Sequence, residues 1–203
     1  MRTATILFCL AASTAAGAVT LTSERDDIRG VRVGMSVTDM PVEGYKDFAC
    51  EKAGGKAVQS WSDWRLCDRD EGGVRSLRAA YSEDETTVIA GHPVNLTFSF
   101  DEAGKLTSLV MATDNKARPF MRKKAHLFAE QVKRRYGVEG WTCHDDAAAA
   151  GEEAIGTTFE KEHCSKKADG REIFVDKNLF RRGEALTNFI SETLVRIVVA
   201  PAA

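Results

Sequence analysis

The chain has 203 residues, with 28 Lys and Arg against 30 Asp and Glu, a formal net charge of −2, and 43% hydrophobic residues. That near-neutral balance does not announce nucleic acid or anionic membrane as a partner, and no apolar run approaches the about 20 residues that a membrane-spanning helix needs. The length suits one domain or two small ones, either able to bury a core.

Arg2, the apolar run Ile6 to Ala12 and the small-x-small string Ala16-Gly17-Ala18 predict a cleavable signal peptide over residues 1–18. Cleavage after Ala18 leaves a mature protein of about 185 residues that is periplasmic or secreted and not transmembrane. Four cysteines then remain: Cys50, Cys67, Cys143 and Cys164. An even number in an oxidising compartment reads as disulfides, and of the three possible connectivities the closeness in sequence favours Cys50 with Cys67 and Cys143 with Cys164. No Cys-x-x-Cys spacing occurs, which argues against a structural zinc.

Ile28 to Met35 alternates, and Ser36 can cap a short helix with Asp39 three residues on, stopped by Pro41. Tyr45 to Lys52 reads as a resumed helical turn. From Trp61 the pattern turns toward strand through Trp64 and Leu66, followed by a turn at Glu71-Gly72-Gly73. Arg75 to Tyr81 is a strand with Leu77, Ala79 and Tyr81 on one face, and Thr86 to Ala90 is a brief β-branched run. Leu96, Phe98 and Phe100 alternate with Asn95, Thr97 and Ser99, then Asp101 to Gly104 turns into a returning strand over Leu106 to Thr113. Met121, Ala125, Phe128, Val132 and Tyr136 recur at helical spacing and predict one long amphipathic helix from Pro119 to Tyr136, closed by Gly137. Strands follow over Thr157 to Cys164, Arg171 to Asp176 and Thr193 to Ala200, while Asn178 to Asn188 carries no decisive pattern. The expected fold class is therefore α+β: antiparallel sheet with one long helix and two local disulfides. The halves 19–115 and 116–203 share an order of elements that suggests a tandem repeat of a small α+β unit.

The run Ile28 to Ser36, with Gly34-Met35-Ser36 opening a short helix ahead of disulfide-linked strands, resembles the opening of the SmpA/OmlA and beta-lactamase-inhibitor-protein group of exported bacterial proteins. Members of that group pack small helices on an antiparallel sheet and act as envelope assembly lipoproteins or as inhibitors of other proteins, so the resemblance implies binding rather than catalysis. This chain departs from the group in lacking its lipidation site and in placing Pro41 where the group's helix continues.

No Gly-x-Ser-x-Gly elbow is present and the thiols are better used in disulfides, so no catalytic residues are assigned. Asp68 to Gly73 fails as a calcium loop because the twelfth position holds Ala79. His144, Asp145 and Asp146, with Glu152 and Glu153 nearby, combine imidazole and carboxylate in the manner of a zinc site, although adjacent residues rarely point the same way and an acidic loop is ordinarily just solvated. The 119–136 helix carries Arg122, Lys123, Lys124, Lys133, Arg134 and Arg135 against Glu130 alone, a distribution suited to an acidic partner or to peripheral contact with anionic lipid. Trp61 and Trp64 belong to the residue type favoured at binding hot spots, and their nearness to a half-cystine equally suits packing on a disulfide in a small core. The binding residues expected are thus Trp61, Trp64, Arg122, Lys123, Lys124 and Arg134. The function expected is a non-enzymatic module that needs no cofactor and binds a protein or envelope component but not nucleic acid, with a small metal-dependent hydrolase using His144, Asp145 and Asp146 as the rival.

Overall fold

The computed structural model describes residues 26–52, 55–81, 87–183 and 188–201, so the signal peptide expected over 1–18 lies outside the described residues. Ten strands dominate the described residues: β1 (Tyr45–Cys50), β2 (Arg75–Tyr81), β3 (Val88–Ile89), β4 (His92–Phe100), β5 (Leu106–Thr113), β6 (Thr142–Asp145), β7 (Glu152–Glu153), β8 (Glu160–Ala168), β9 (Arg171–Arg182) and β10 (Phe189–Val199). Eight of them form a continuous antiparallel path in the order β1-β2-β4-β5-β10-β9-β8-β6, with β3 added to β4 and β7 to β9. The two disulfides join Cys50 to Cys67 and Cys143 to Cys164, the expected pairing.

Alternation builds the central hairpin. Val94, Leu96, Phe98 and Phe100 face one side of β4 and are buried, as are Leu106, Leu109 and Met111 of β5. The turn between them is held by Asp101, whose carboxylate accepts from the Lys105 N–H at 2.9 Å while its carbonyl accepts from the Gly104 N–H at 3.0 Å. Gly104 is required there: its φ is +81°, and a Cβ would meet Val37 Cγ1 at 3.0 Å. At the centre of the sheet β5 meets β10, with Leu109 opposite Ile197. One hydrophobic cluster runs from Leu77 and Phe98 on one side of that seam to Ile173, Val175 and Val195 on the other.

The α+β assignment is wrong, and so is the long helix on which it rested. Residues 119–136 break into α1 (Pro119–Arg122), a 3-10 turn (Ala125–Leu127) and α2 (Phe128–Arg135). The break has a tertiary cause. Strand β10 supplies side chains that bond the backbone where helix bonds would otherwise run: Ser191 Oγ donates to the Lys123 carbonyl and accepts from the His126 N–H, and Thr193 Oγ1 donates to the Ala125 carbonyl at 2.9 Å. Local helical spacing survives in α2, which buries Phe128, Ala129 and Val132 against the sheet. The result is a mostly antiparallel β protein.

Two smaller expectations also change type. Tyr45–Cys50 is an edge strand rather than a helical turn, because its backbone pairs with β2. Trp61–Leu66 is a 3-10 helix rather than a strand, started by the Asp63 carboxylate accepting from the N–H groups of Gln59 and Ser60. The short helix after Ser36 forms as expected, with Ser36 Oγ accepting from the Thr38 N–H. The expected repeat of an α+β unit loses its helical part: a 3-10 helix lies between β1 and β2, whereas α1 and α2 precede β6.

Candidate functional site: the open face of the sheet

Strand geometry sends successive side chains to opposite faces, so the buried set defines one side and leaves the other. The described helices and 3-10 turns pack on the core side. Trp61 sits edge-on to Phe98 at 4.8 Å, Thr193 reaches the 3-10 turn, and Lys133 of α2 reaches Glu162 at 2.7 Å. On the other side the strand register lines up two cross-sheet rows. One runs Thr142, Ser165, Phe174, Arg196, Val110, Thr97, Arg78; the next runs His144, His163, Asp176, Leu194, Ala112, Asn95.

The middle of this face sets apolar side chains around one cation, with Glu172 and Asp176 flanking Phe174 along β9, opposite Val198 and Leu194. Arg196 lies over the Phe174 ring at 4.5 Å, Val110 is its cross-strand partner, Leu194 and Val198 flank it along β10, and Leu194 is 40% exposed. Among the described residues no carboxylate pairs with Arg196. Toward one end Phe180 is nearly sealed on this same face, outside the main core, by Phe159 stacked at 5.7 Å and by Lys161 and Arg182 over its ring. Toward the other end Arg78 pairs with Glu51 at 3.1 Å.

Beside the apolar centre lies a histidine and carboxylate corner. The β6–β8 register sets His144 directly opposite His163, their rings stacked at 5.1 Å, next to the disulfide that joins Cys143 and Cys164. His163 Nδ1 bonds Asp176 at 2.7 Å and its Nε2 lies 3.3 Å from Asp146. The hydrogen bond to Asp176 leads the effects that raise the His163 pKa, outweighing partial burial, with Asp146 adding to it.

The residues expected for binding fall in other places. Trp61 and Trp64 are core residues, 3% and 2% exposed, with the Trp61 indole donating to the Pro41 carbonyl. Arg122 donates to the Asn115 carbonyl and lies over Phe189, and Lys124 lies over Phe120. Arg134 lies at the end of α2 with Lys133 and Arg135. Lys133 is bound to Glu130 and Glu162, and Arg135 to Asp26, so much of the basic character of that helix is neutralised internally. Of the expected metal set, His144 and Asp146 share one face, but alternation turns Asp145 to the side of Cys143 and Glu162. His163 takes its place. A signal for this was present: His144 follows one half-cystine and His163 precedes its mate, so antiparallel pairing of the bonded cysteines brings the two imidazoles opposite each other.

A cavity of about 390 Å³ lies on the core side, floored by Met111, Phe128 and Val132. Most of its charged lining is paired internally, since Arg135 pairs with Asp26 and the Tyr136 hydroxyl donates to Asp27, while Arg29 lies over the Tyr81 ring. Comparison with protein-family models, with curated proteins and with solved structures finds no match to this chain. Among the described residues no helix is long and apolar enough to cross a membrane.

Proposed function

We propose that this chain is an exported, non-enzymatic binding module that engages a folded protein of the cell envelope through the open face of its sheet. The observation that carries the reading is Arg196: an arginine with no carboxylate partner among the described residues, stacked on Phe174 and set among Val110, Leu194 and Val198. Arginine and aromatic side chains surrounded by apolar contacts are the composition of binding hot spots. The complementary partner surface carries an Asp or Glu seated amid apolar side chains.

Size supports a protein rather than a small molecule. Eight strands at about 4.8 Å spacing make a face about 35 Å across, the scale of a standard interface of about 800 Å² per partner. The two disulfides suit an oxidising compartment, periplasmic or secreted. The resemblance of residues 28–36 to the SmpA/OmlA and beta-lactamase-inhibitor-protein group points the same way. The basic helix is the weaker candidate surface because Lys133 and Arg135 are internally paired.

The test is capture from envelope extract by immobilised mature protein, with the captured species identified and rebound in purified form. Arg196→Glu is expected to abolish capture, and Lys123→Glu with Lys124→Glu to leave it intact. Capture unchanged by Arg196→Glu, loss confined to the lysine variants, or hydrolytic turnover by the purified protein overturns the proposal.

A further inference from the structure

We infer that His144, His163 and Asp146 form a binding site for a divalent late first-row transition-metal ion, with Zn²⁺ as its simplest occupant, and that Asp176 positions His163 within it. The inference is independent of which partner docks on the sheet face.

The first support is convergence. One ligand atom from each of His144, His163 and Asp146 lies within 4.8 Å of the other two. Zinc binds imidazole nitrogen and carboxylate oxygen at about 2.0–2.2 Å, so the donors of an occupied site stand about 3.5 Å apart. Closing the remaining distance takes a movement of about 1 Å, which His144 and Asp146, both exposed, can make by side-chain rotation.

The second support is preorganisation. A one-residue slip of β6 against β8 would send His144 to the opposite face from His163, and the Cys143–Cys164 disulfide immediately alongside forbids that slip. Just past β6 the Asp146 N–H donates to the Lys161 carbonyl at 2.8 Å, which fixes the backbone that presents its carboxylate.

The third support is the orientation of His163. With its Nδ1 proton donated to Asp176 at 2.7 Å, the lone pair of Nε2 is left facing Asp146, 3.3 Å away. Metal-bound histidines ordinarily donate their other ring nitrogen to a carboxylate in this way, which sets the tautomer and raises ligand basicity. Two imidazoles and one carboxylate suit zinc, copper or nickel rather than calcium, which takes oxygen ligands throughout. Three protein donors leave a fourth position for water or for a group from a docked partner. The neighbouring cluster of Cys143, Glu162 and Cys164 offers no comparable site, because its sulfurs are joined to each other.

A rival explanation needs no metal: a proton on His163 shared between Asp176 and Asp146 accounts for that ring, but it gives His144 no part. His144 therefore decides. Chelator-treated mature protein is titrated with ZnCl₂ by calorimetry and with CoCl₂ by visible absorption at pH 7.5, with His126→Ala as a control. Saturable binding of one equivalent is expected, unchanged in His126→Ala, weakened about tenfold or more in His144→Ala and in His163→Gln, and weakened about 10- to 100-fold with an altered Co²⁺ spectrum in Asp176→Asn. Urea midpoints of the variants, measured without metal, separate loss of binding from loss of fold. Absence of saturable binding in wild type, or binding of wild-type strength in folded His144→Ala, overturns the site. Wild-type affinity and spectrum in Asp176→Asn overturns the role of Asp176.

Discussion

Replacing Arg171 by Met is expected to be among the most damaging single substitutions outside the hydrophobic core. Arg171 is 3% exposed and its guanidinium is bonded to the fully buried Asp27 carboxylate. Asp27 Oδ1 also accepts from the Tyr136 hydroxyl at 2.8 Å, and Oδ2 accepts from the Val33 N–H at 2.7 Å. Burial, followed by the Asp27 carboxylate, holds the Tyr136 hydroxyl protonated well above its ordinary range, so it remains a donor. Breaking a buried pair by removing one partner costs about 3–5 kcal/mol, since it leaves an uncompensated charge. Two remaining donors keep Asp27 partly satisfied and place the cost at the lower end, about 3 kcal/mol. The damage should be local first: Asp27 ties residues 27–33 to the end of α2 and to the start of β9, so Val33 amide protection against hydrogen exchange falls most. Urea unfolding at pH 7.5 measures the total. A double variant, Arg171→Met with Asp27→Leu, should lose less than the sum of the singles by about 2 kcal/mol. A cost below about 1 kcal/mol for Arg171→Met, or strict additivity in the double variant, refutes the reasoning.

Two further outcomes follow from other parts of the molecule. His92 is 8% exposed and packs on Phe128 at 5.7 Å, and burial, aided by His126 and Lys124, lowers its pKa; burial also lowers that of His126. Below pH about 6.5 the unfolded chain then binds protons that the folded protein refuses, so their contribution to stability falls as pH drops from 7 toward 5. His163 shifts the opposite way, so the measurement is a difference: the urea midpoint of His92→Leu should decline less than wild type between pH 7.5 and 5, and equal slopes would refute the assignment. Gly44 has φ +81°, and a Cβ there would stand 2.5 Å from the Tyr81 ring. Gly44→Ala is expected to destabilise by about 2 kcal/mol in thermal unfolding, with Gly72→Ala near neutral as its control.

Much of the sheet was legible along the chain because its signals are local. The alternation in 95–113 is read from neighbouring residues, and it located the β4–β5 hairpin and its buried face. The cysteine pairing followed from short separations, and 17 and 21 residues separate the bonded partners. The strand at Tyr45–Cys50 escaped because an edge strand with Asp47 at φ +55° has little alternation to display. The chain left Trp61 and Trp64 open between partner recognition and packing near a half-cystine, and three-dimensional packing against Phe98 and Phe100 decided for the core.

What the chain alone determined was its pairing of thiols, its central hairpin, its apolar alternation and its near-neutral charge, all properties of residues near one another. What only the tertiary structure decided was the breaking of the 119–136 helix and the composition of the open face. Ser191 and Thr193 lie about 70 residues beyond the backbone they bond, and Asp176 meets His163 only through the β8–β9 register. Such contacts depend on which strands become neighbours, and that is settled by the burial of one shared core across both halves of the chain.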